Sequence, residues 1–189
     1  MKIHLYTGKD TDSAGIVAGI TLKDETEPEN GNMALHACFD AKHVLANRRK
    51  LSAALGCDPG LFVCPNQTHS SNFHKVTSAD MGRGSFDLHT GIPDVDALYT
   101  FEPNLVLCCF TADCVPVLFF NKAAGLVGVI HSGWKGTAKE ITVKLFLHLM
   151  KHEHCKAEDF YVQIGPAISG EKFEVDSDVY LHFKNLGYA

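Results

Sequence analysis

Apolar residues recur every three to four positions in several segments of the chain, which is the spacing of a helix that buries one face. The first of these segments follows Asp40, a residue type common at helix N-caps, and ends before Gly56. Its apolar stripe includes Val44, Leu51 and Leu55. Glycine just past the last turn favours the left-handed conformation that ends many helices. The pattern predicts a helix between Asp40 and Gly56.

Two more helices are predicted towards the C-terminus. Thr137–Glu140 (TAKE) has the form of a capping box, and the apolar stripe that follows it reaches about His152. A final amphipathic helix is predicted over Val175–Leu186, ending at Gly187.

Short apolar runs rich in Val, Leu and Phe, bounded by Pro, Asn or Gly, predict buried strands. They are Leu61–Cys64, Leu105–Cys109, Val117–Phe120, Leu126–Ile130 and Tyr161–Ile164. Between two of them, Asn121–Gly125 (NKAAG) predicts a hairpin turn. Strands and helices in this order predict an α/β (α+β) fold, a single domain over residues 1–189 with layered helices around a mixed β-sheet.

Composition narrows the class of protein. The 189 residues include 17 Lys and Arg against 22 Asp and Glu, a net charge of −5, so no basic field exists to bind nucleic acid. The longest apolar runs fall far short of the ~20 residues that a membrane-spanning helix needs. Seven cysteines without a repeated CxxC spacing favour reduced thiols over a disulfide framework. We therefore expect a cytoplasmic protein that binds neither nucleic acid nor membrane.

Polar segments at the ends of predicted strands supply the candidate chemistry. His69, Cys114 and His131 offer two imidazoles and one thiolate, the donor set of a catalytic zinc that keeps a fourth position open. Their spacings of 45 and 17 residues match no short metal-binding pattern. A chain with 11 His and 7 Cys offers many such triples, and a small buried hydrophobe equally explains Cys114. The residues alone leave both interpretations open.

A zinc ion lowers the pKa of a bound water to ~7, which suits attack on an aromatic C–NH2 carbon or a carbonyl. Asp113, next to the candidate thiolate, is placed either to move a proton or to form a turn through its own backbone.

The loop His131–Thr137 (HSGWKGT) leads into the second predicted helix. Gly133, Lys135 and Gly136, with the backbone N–H groups of a helix start, predict a site for phosphate or a substrate oxyanion. Trp134 is placed either to stack on a base or to close an edge of the core. Arg48 lies on the inward stripe of the first helix, where its charge either extends to solvent or reaches a site.

Several stretches together resemble one family. They are NRR (47–49), QTHSSNFHKV (67–76), DVDALYT (94–100), TADCVPVLF (111–119), HSGWKGTAKEI (131–141) and IGPAISGEKFEV (164–175). The combination resembles the YfiH-like proteins, also called the purine nucleoside phosphorylase or laccase-domain polyphenol oxidase family, from about Gly31 to Phe183. Family members continue beyond the point that corresponds to Ala189, so this chain is C-terminally short relative to them.

The resemblance implies a zinc site formed by His69, Cys114 and His131, and purine nucleoside chemistry. The implied reactions are phosphorolysis of adenosine, inosine and guanosine to base and ribose-1-phosphate, phosphorolysis of methylthioadenosine, and deamination of adenosine to inosine. It places Asp113 in proton transfer, and it favours Arg48 as a ligand of phosphate or ribose. The implied partners are purine nucleosides and inorganic phosphate, and self-association into a homo-oligomer would cover an unpaired sheet edge.

Three alternatives remain at this stage. The family's older name implies copper-dependent phenol oxidation, although multicopper oxidation needs several coppers and more ligands than these three. A metal-free hydrolase would use Cys114 as nucleophile and His131 as base. A domain that only binds metal or nucleoside would show no turnover.

Overall fold

A computed structural model describes residues 1–6, 8, 11–12, 15–184 and 186–187. Within these ranges the strands are β1 (Lys2–Leu5), β2 (Gly19–Leu22), β3 (Phe62–Val63), β4 (Pro65–Asn66), β5 (Phe73–Lys75), β6 (Ile92–Pro93), β7 (Ala97–Thr100), β8 (Val106–Leu107), β9 (Val115–Asn121), β10 (Leu126–Ser132) and β11 (Phe160–Ile164). The α-helices are α1 (Ala41–Leu55), α2 (Trp134–Ala138), α3 (Ile141–His152) and α4 (Ser177–Lys184).

A five-stranded mixed sheet carries the fold, in the order β11-β9-β10-β7-β5. The central strands pair antiparallel, whereas β5 joins the edge of β7 in parallel. The predicted turn at Asn121–Gly125 connects β9 and β10 as a hairpin. Three two-stranded pairs lie beside this sheet: β1 with β2, β3 with β8, and β4 with β6. The predicted α/β class is confirmed.

Apolar side chains cover both faces of the sheet because residues alternate along each strand. On one face Tyr99 and Ile130 pack with Leu145 of α3 in the larger buried cluster. On the other face Leu98 and Val129 belong to a second cluster that includes residues of β3 and β6. The sheet is therefore buried on both sides around β7 and β10, the two strands that lead to the site described below.

Helix α1 confirms the prediction made from local signals. The Asp40 carboxylate accepts a hydrogen bond from the N–H of Lys42 at 2.9 Å, and Gly56 ends the helix with a φ of 67°. None of the described helices combines the length and apolarity that crossing a bilayer requires.

The predicted capping box at Thr137–Glu140 is wrong. Thr137 lies inside α2, where its hydroxyl donates to the carbonyl of Gly133 at 2.9 Å instead of capping the next helix. The chain then turns at Glu140, whose φ of 60° is left-handed, and α3 begins at Ile141. One predicted helix is thus two helices joined at a corner.

The last predicted helix is shorter than expected. The sequence predicts a helix over Val175–Leu186, whereas α4 covers Ser177–Lys184. Asn185, within that span, lies outside the described residues, as do Tyr188 and Ala189. Strands β1, β2, β4, β5, β6 and β7 are not predicted from the sequence, because each is short and lacks a long apolar run.

Candidate metal centre

The fold brings His69, Cys114 and His131 together from three separate segments. Their ligand atoms all lie within 4.8 Å of one another, and no other group of three or more such residues is found among the described residues. The pairing of β9 with β10 explains why Cys114 and His131 are close. His131 pairs with Pro116 and Ser132 with Val115, so Cys114, immediately before β9, is a diagonal neighbour of His131 near the end of β10.

The loop between β4 and β5 supplies His69. The φ of His69 is 57°, a left-handed conformation that costs free energy for a residue with a side chain. Three consecutive backbone N–H groups of this loop point to the carboxylate of Asp96: those of Thr68 (3.2 Å), His69 (3.1 Å) and Ser70 (2.7 Å). These hydrogen bonds hold the loop in its strained conformation.

Asp96 also contacts the second histidine. Its Oδ1 lies 2.7 Å from Nδ1 of His131, and both side chains are almost fully buried. Burial by itself favours the neutral acid, yet the hydrogen bonds from His131 and Ser70 outweigh it and lower the pKa of Asp96 to about 2. Since the carboxylate is ionised and only accepts, Nδ1 of His131 is the donor, and Nε2 is left for another ligand.

Gly133 keeps the space between the ligands open. A Cβ at this position would lie 2.8 Å from Cδ2 of His69 and 3.0 Å from Sγ of Cys114. Two imidazole nitrogens and one thiolate match the donors of a metal site with an open fourth position. The residues therefore fit a bound metal ion.

A metal-free nucleophile fits less well. Burial, with contributions from the charges of Asp113 and Asp96, raises the pKa of the Cys114 thiol. Nucleophilic cysteines need a lowered pKa, which a nearby cation supplies. This disfavours the alternative in which Cys114 and His131 act as a hydrolase without metal.

Asp113 is exposed next to Cys114, and its carbonyl accepts a hydrogen bond from the N–H of Ile168 at 3.0 Å. The same residue lines a groove of about 1360 Å³ that also includes Arg48 and Phe110. The three ligand residues do not line the groove, whereas Asp113, the residue before Cys114 in the sequence, does. Its role in proton transfer stays a prediction.

The predicted phosphate loop differs from expectation. Gly133 opens α2, a helix of five residues, instead of the long helix predicted there. Gly136 packs closely, since a Cβ there would lie 3.1 Å from the carbonyl oxygen of Ser70. Lys135 is exposed with its ammonium 5.5 Å from the ring of Trp134, which is half-buried. Substrate binding by this loop stays a prediction.

Arg48 is 3 % exposed, so the interpretation in which its charge extends to solvent is wrong. Its guanidinium donates to the carbonyls of Met33 (2.9 Å), Gly84 (2.7 Å) and Ser85 (2.6 Å). It also lies 5.1 Å from the ring centroid of Phe110. Arg48 thus joins two backbone segments, at Met33 and at Gly84–Ser85, beside Phe110 in the loop that precedes Cys114. Phosphate binding by it stays a prediction.

The sequence interpretation missed Asp96 and Ser70. Asp96 occurs in DVDALYT immediately before β7, and no local signal distinguishes it from Asp94 two residues earlier. Ser70 donates its hydroxyl to Oδ2 of Asp96 at 2.7 Å.

Comparisons with known proteins agree on one family. The sequence profile described as multi-copper polyphenol oxidoreductase laccase matches residues 22–188. The chain is 41 % identical over 170 residues to purine nucleoside phosphorylase YlmD of Geobacillus stearothermophilus, covering 88 % of this chain and 62 % of that protein. It is 36 % identical over 168 residues to purine nucleoside phosphorylase YlmD of Bacillus subtilis, covering 87 % of this chain and 60 % of the relative.

A solved structure has the same fold. The crystal structure of hypothetical protein YfiH from Bacillus licheniformis superposes with a TM-score of 0.87 at 37 % identity, over 90 % of this chain and 65 % of the other. The chain spans about three fifths of the length of the two curated relatives.

Proposed function

Since the chain belongs to the YfiH-like family, whose profile is described as multi-copper polyphenol oxidoreductase laccase, we propose that it is a zinc-dependent purine nucleoside enzyme. Its proposed reactions are phosphorolysis of adenosine, inosine and guanosine to base and ribose-1-phosphate, phosphorolysis of methylthioadenosine to adenine and methylthioribose-1-phosphate, and deamination of adenosine to inosine. Relatives named purine nucleoside phosphorylase support the substrate class, nucleosides and inorganic phosphate.

The convergence of His69, Cys114 and His131 within 4.8 Å carries this proposal. One soft thiolate with two imidazoles suits zinc, and three protein ligands leave a position for a reactant. When bound, zinc supplies Lewis-acid chemistry that activates water or polarises a substrate atom.

The chain's own residues supply binding and proton transfer. Asp113 is exposed at the end of the groove next to Cys114, where its carboxylate exchanges protons with substrate or solvent. Gly133, Trp134, Lys135 and Gly136 begin at the ligands His69 and Cys114, which Gly133 touches, and are proposed to hold phosphate and base. Arg48, which also lines the groove, is proposed to bind phosphate or ribose.

Only the description of the family profile favours copper-dependent phenol oxidation. The described residues hold a single cluster of three metal-ligating side chains. Multicopper oxidation requires several coppers with many histidine ligands. Zinc chemistry at one centre therefore accounts better for the donors present.

Reduced thiols at seven positions fit a cytoplasmic enzyme.

Chromatography of adenosine incubated with the purified chain tests the proposal. Adenine formed only with phosphate indicates phosphorolysis, and inosine formed without phosphate indicates deamination. Cys114→Ala should abolish both products. Cys38→Ala should retain them, because Cys38 is a free cysteine that does not belong to the ligand cluster. Zinc binding without any product from the wild type would instead identify a domain that binds metal but does not catalyse.

A further inference from the structure

One buried carboxylate lies behind both histidine ligands. Asp96 is 0 % exposed and lies immediately before β7, an interior strand of the sheet. Its backbone is fixed on both sides, because its N–H donates to the carbonyl of Asn72 at 3.0 Å and its carbonyl accepts from the N–H of His131 at 2.7 Å. The side chain therefore starts from a rigid position between the two ligand-bearing segments.

Each carboxylate oxygen has its own set of donors. Oδ1 accepts from the N–H of His69 and from Nδ1 of His131. Oδ2 accepts from the N–H groups of Thr68 and Ser70 and from the Ser70 hydroxyl. One oxygen thus joins the two histidines directly, and the other holds the loop on which His69 lies.

We propose that Asp96 is a positioning residue for the metal centre. It selects the tautomer of His131 that carries the proton on Nδ1 and presents Nε2 to the metal, and it fixes the left-handed backbone that directs His69 to the same point. This inference rests on the proposed metal function. Partners of this kind orient histidine ligands and raise their basicity, and their loss costs about 10–100-fold in metal affinity.

An amide cannot replace this carboxylate. In Asp96→Asn, one of the two positions becomes an NH2 group that faces donors instead of accepting from them. If the NH2 group faces His131, the ring must move its proton to Nε2 and lose that nitrogen as a ligand. If it faces Thr68 and Ser70, the His69 loop loses its hydrogen bonds. Both orientations weaken the site while leaving the side-chain volume unchanged.

Zinc affinity measured by competition with a chelator tests the role. Asp96→Asn should bind zinc about 10–100-fold more weakly than the wild type. The matched control is Asp87→Asn, an exposed residue whose carboxylate accepts a hydrogen bond from the N–H of His89, outside the loop that carries His69. It should bind zinc with the affinity of the wild type. Equal affinity in Asp96→Asn and the wild type would overturn the inference.

Nitrogen NMR of the metal-free wild type provides a test that does not depend on the variant folding. At a pH where the ring is neutral, His131 should carry its proton on Nδ1, and in folded Asp96→Asn a population with the proton on Nε2 should appear. A wild-type ring protonated on Nε2 would overturn the inference. A wild type that binds no zinc would refute the proposed function, which distinguishes that failure from a failure of the role of Asp96.

Discussion

The backbone of Gly133 lies against the side chain of Cys114: a Cβ on Gly133 would be 3.0 Å from Sγ of Cys114. The φ and ψ of Gly133 are −68° and 166°, which any residue adopts. Glycine is therefore required here for space and not for backbone conformation. The space it leaves open lies between the side chains of His69 and Cys114.

Gly133→Ala should impair metal binding. Its methyl group would force His69 and Cys114 apart, and overpacking of this kind costs about 1–3 kcal/mol. Because the strain falls on two ligands, we expect roughly 5–150-fold weaker zinc binding in a chelator titration. Gly170→Ala, where a Cβ meets nothing within 4 Å, is the control and should bind like the wild type. Unchanged affinity in Gly133→Ala would show that the metal lies elsewhere.

Arg48→Lys should destabilise the fold. A lysine ammonium cannot reach the three carbonyls that the guanidinium contacts, and each buried acceptor left without a partner costs about 1–3 kcal/mol. Urea denaturation should show a loss of about 2 kcal/mol or more. Arg49→Lys changes the adjacent exposed arginine and should stay within about 0.5 kcal/mol of the wild type. Equal stability of the two variants would contradict the structural role of Arg48.

Leu145→Ala tests the packing of α3 on the sheet. Leu145 is fully buried in the larger cluster, so its truncation should cost about 2–5 kcal/mol in the free energy of unfolding. Leu147, two residues along the same helix, is 55 % exposed. Leu147→Ala should therefore change stability by less than about 0.5 kcal/mol in the same denaturation experiment.

Glu153 should make stability depend on pH. Burial raises the pKa of its carboxyl, but hydrogen bonds from Lys75 and Tyr99 outweigh burial and lower the pKa below its ordinary value of 4.5. A lowered pKa in the folded state stabilises the protein above that value, and the contribution is lost as the pH falls through the folded-state pKa.

Glu153→Gln should therefore lose about 1–2 kcal/mol at pH ~7 and converge with the wild type as the pH falls below its ordinary pKa. Thermal or urea unfolding across this pH range measures the difference. Glu158→Gln, at an exposed position nearby, should follow the wild type throughout. A difference for Glu153→Gln that grows towards acid pH would contradict the sign of the shift.

The sequence predicts an element well where its signals are local. Helix α1 has its cap at Asp40, its stripe through Val44 and its end at Gly56 within one segment, and all three agree. The corner at Glu140 could not be predicted in this way. Threonine is a residue type common at helix N-caps. The hydroxyl of Thr137 nevertheless donates to the carbonyl of Gly133, because α2 packs at the end of β10.

The metal centre depends on pairing between distant strands. His69, Cys114 and His131 were selected by their motifs, since their spacings alone distinguish them poorly from other His and Cys triples. Asp96 could not be found from local pattern because an Asp in DVD is typical of a turn. Its role appears only when β7 pairs with β10 and brings Asp96 to His131.

Metal content tests the central claim most directly, that His69, Cys114 and His131 hold a zinc ion. Elemental analysis of the purified chain should find about one zinc per molecule in the wild type and little in Cys114→Ala, because removal of the thiolate leaves two ligands. Cys38→Ala should retain the wild-type content. Absence of zinc from the wild type under zinc-replete conditions, or full retention in Cys114→Ala, would contradict the account.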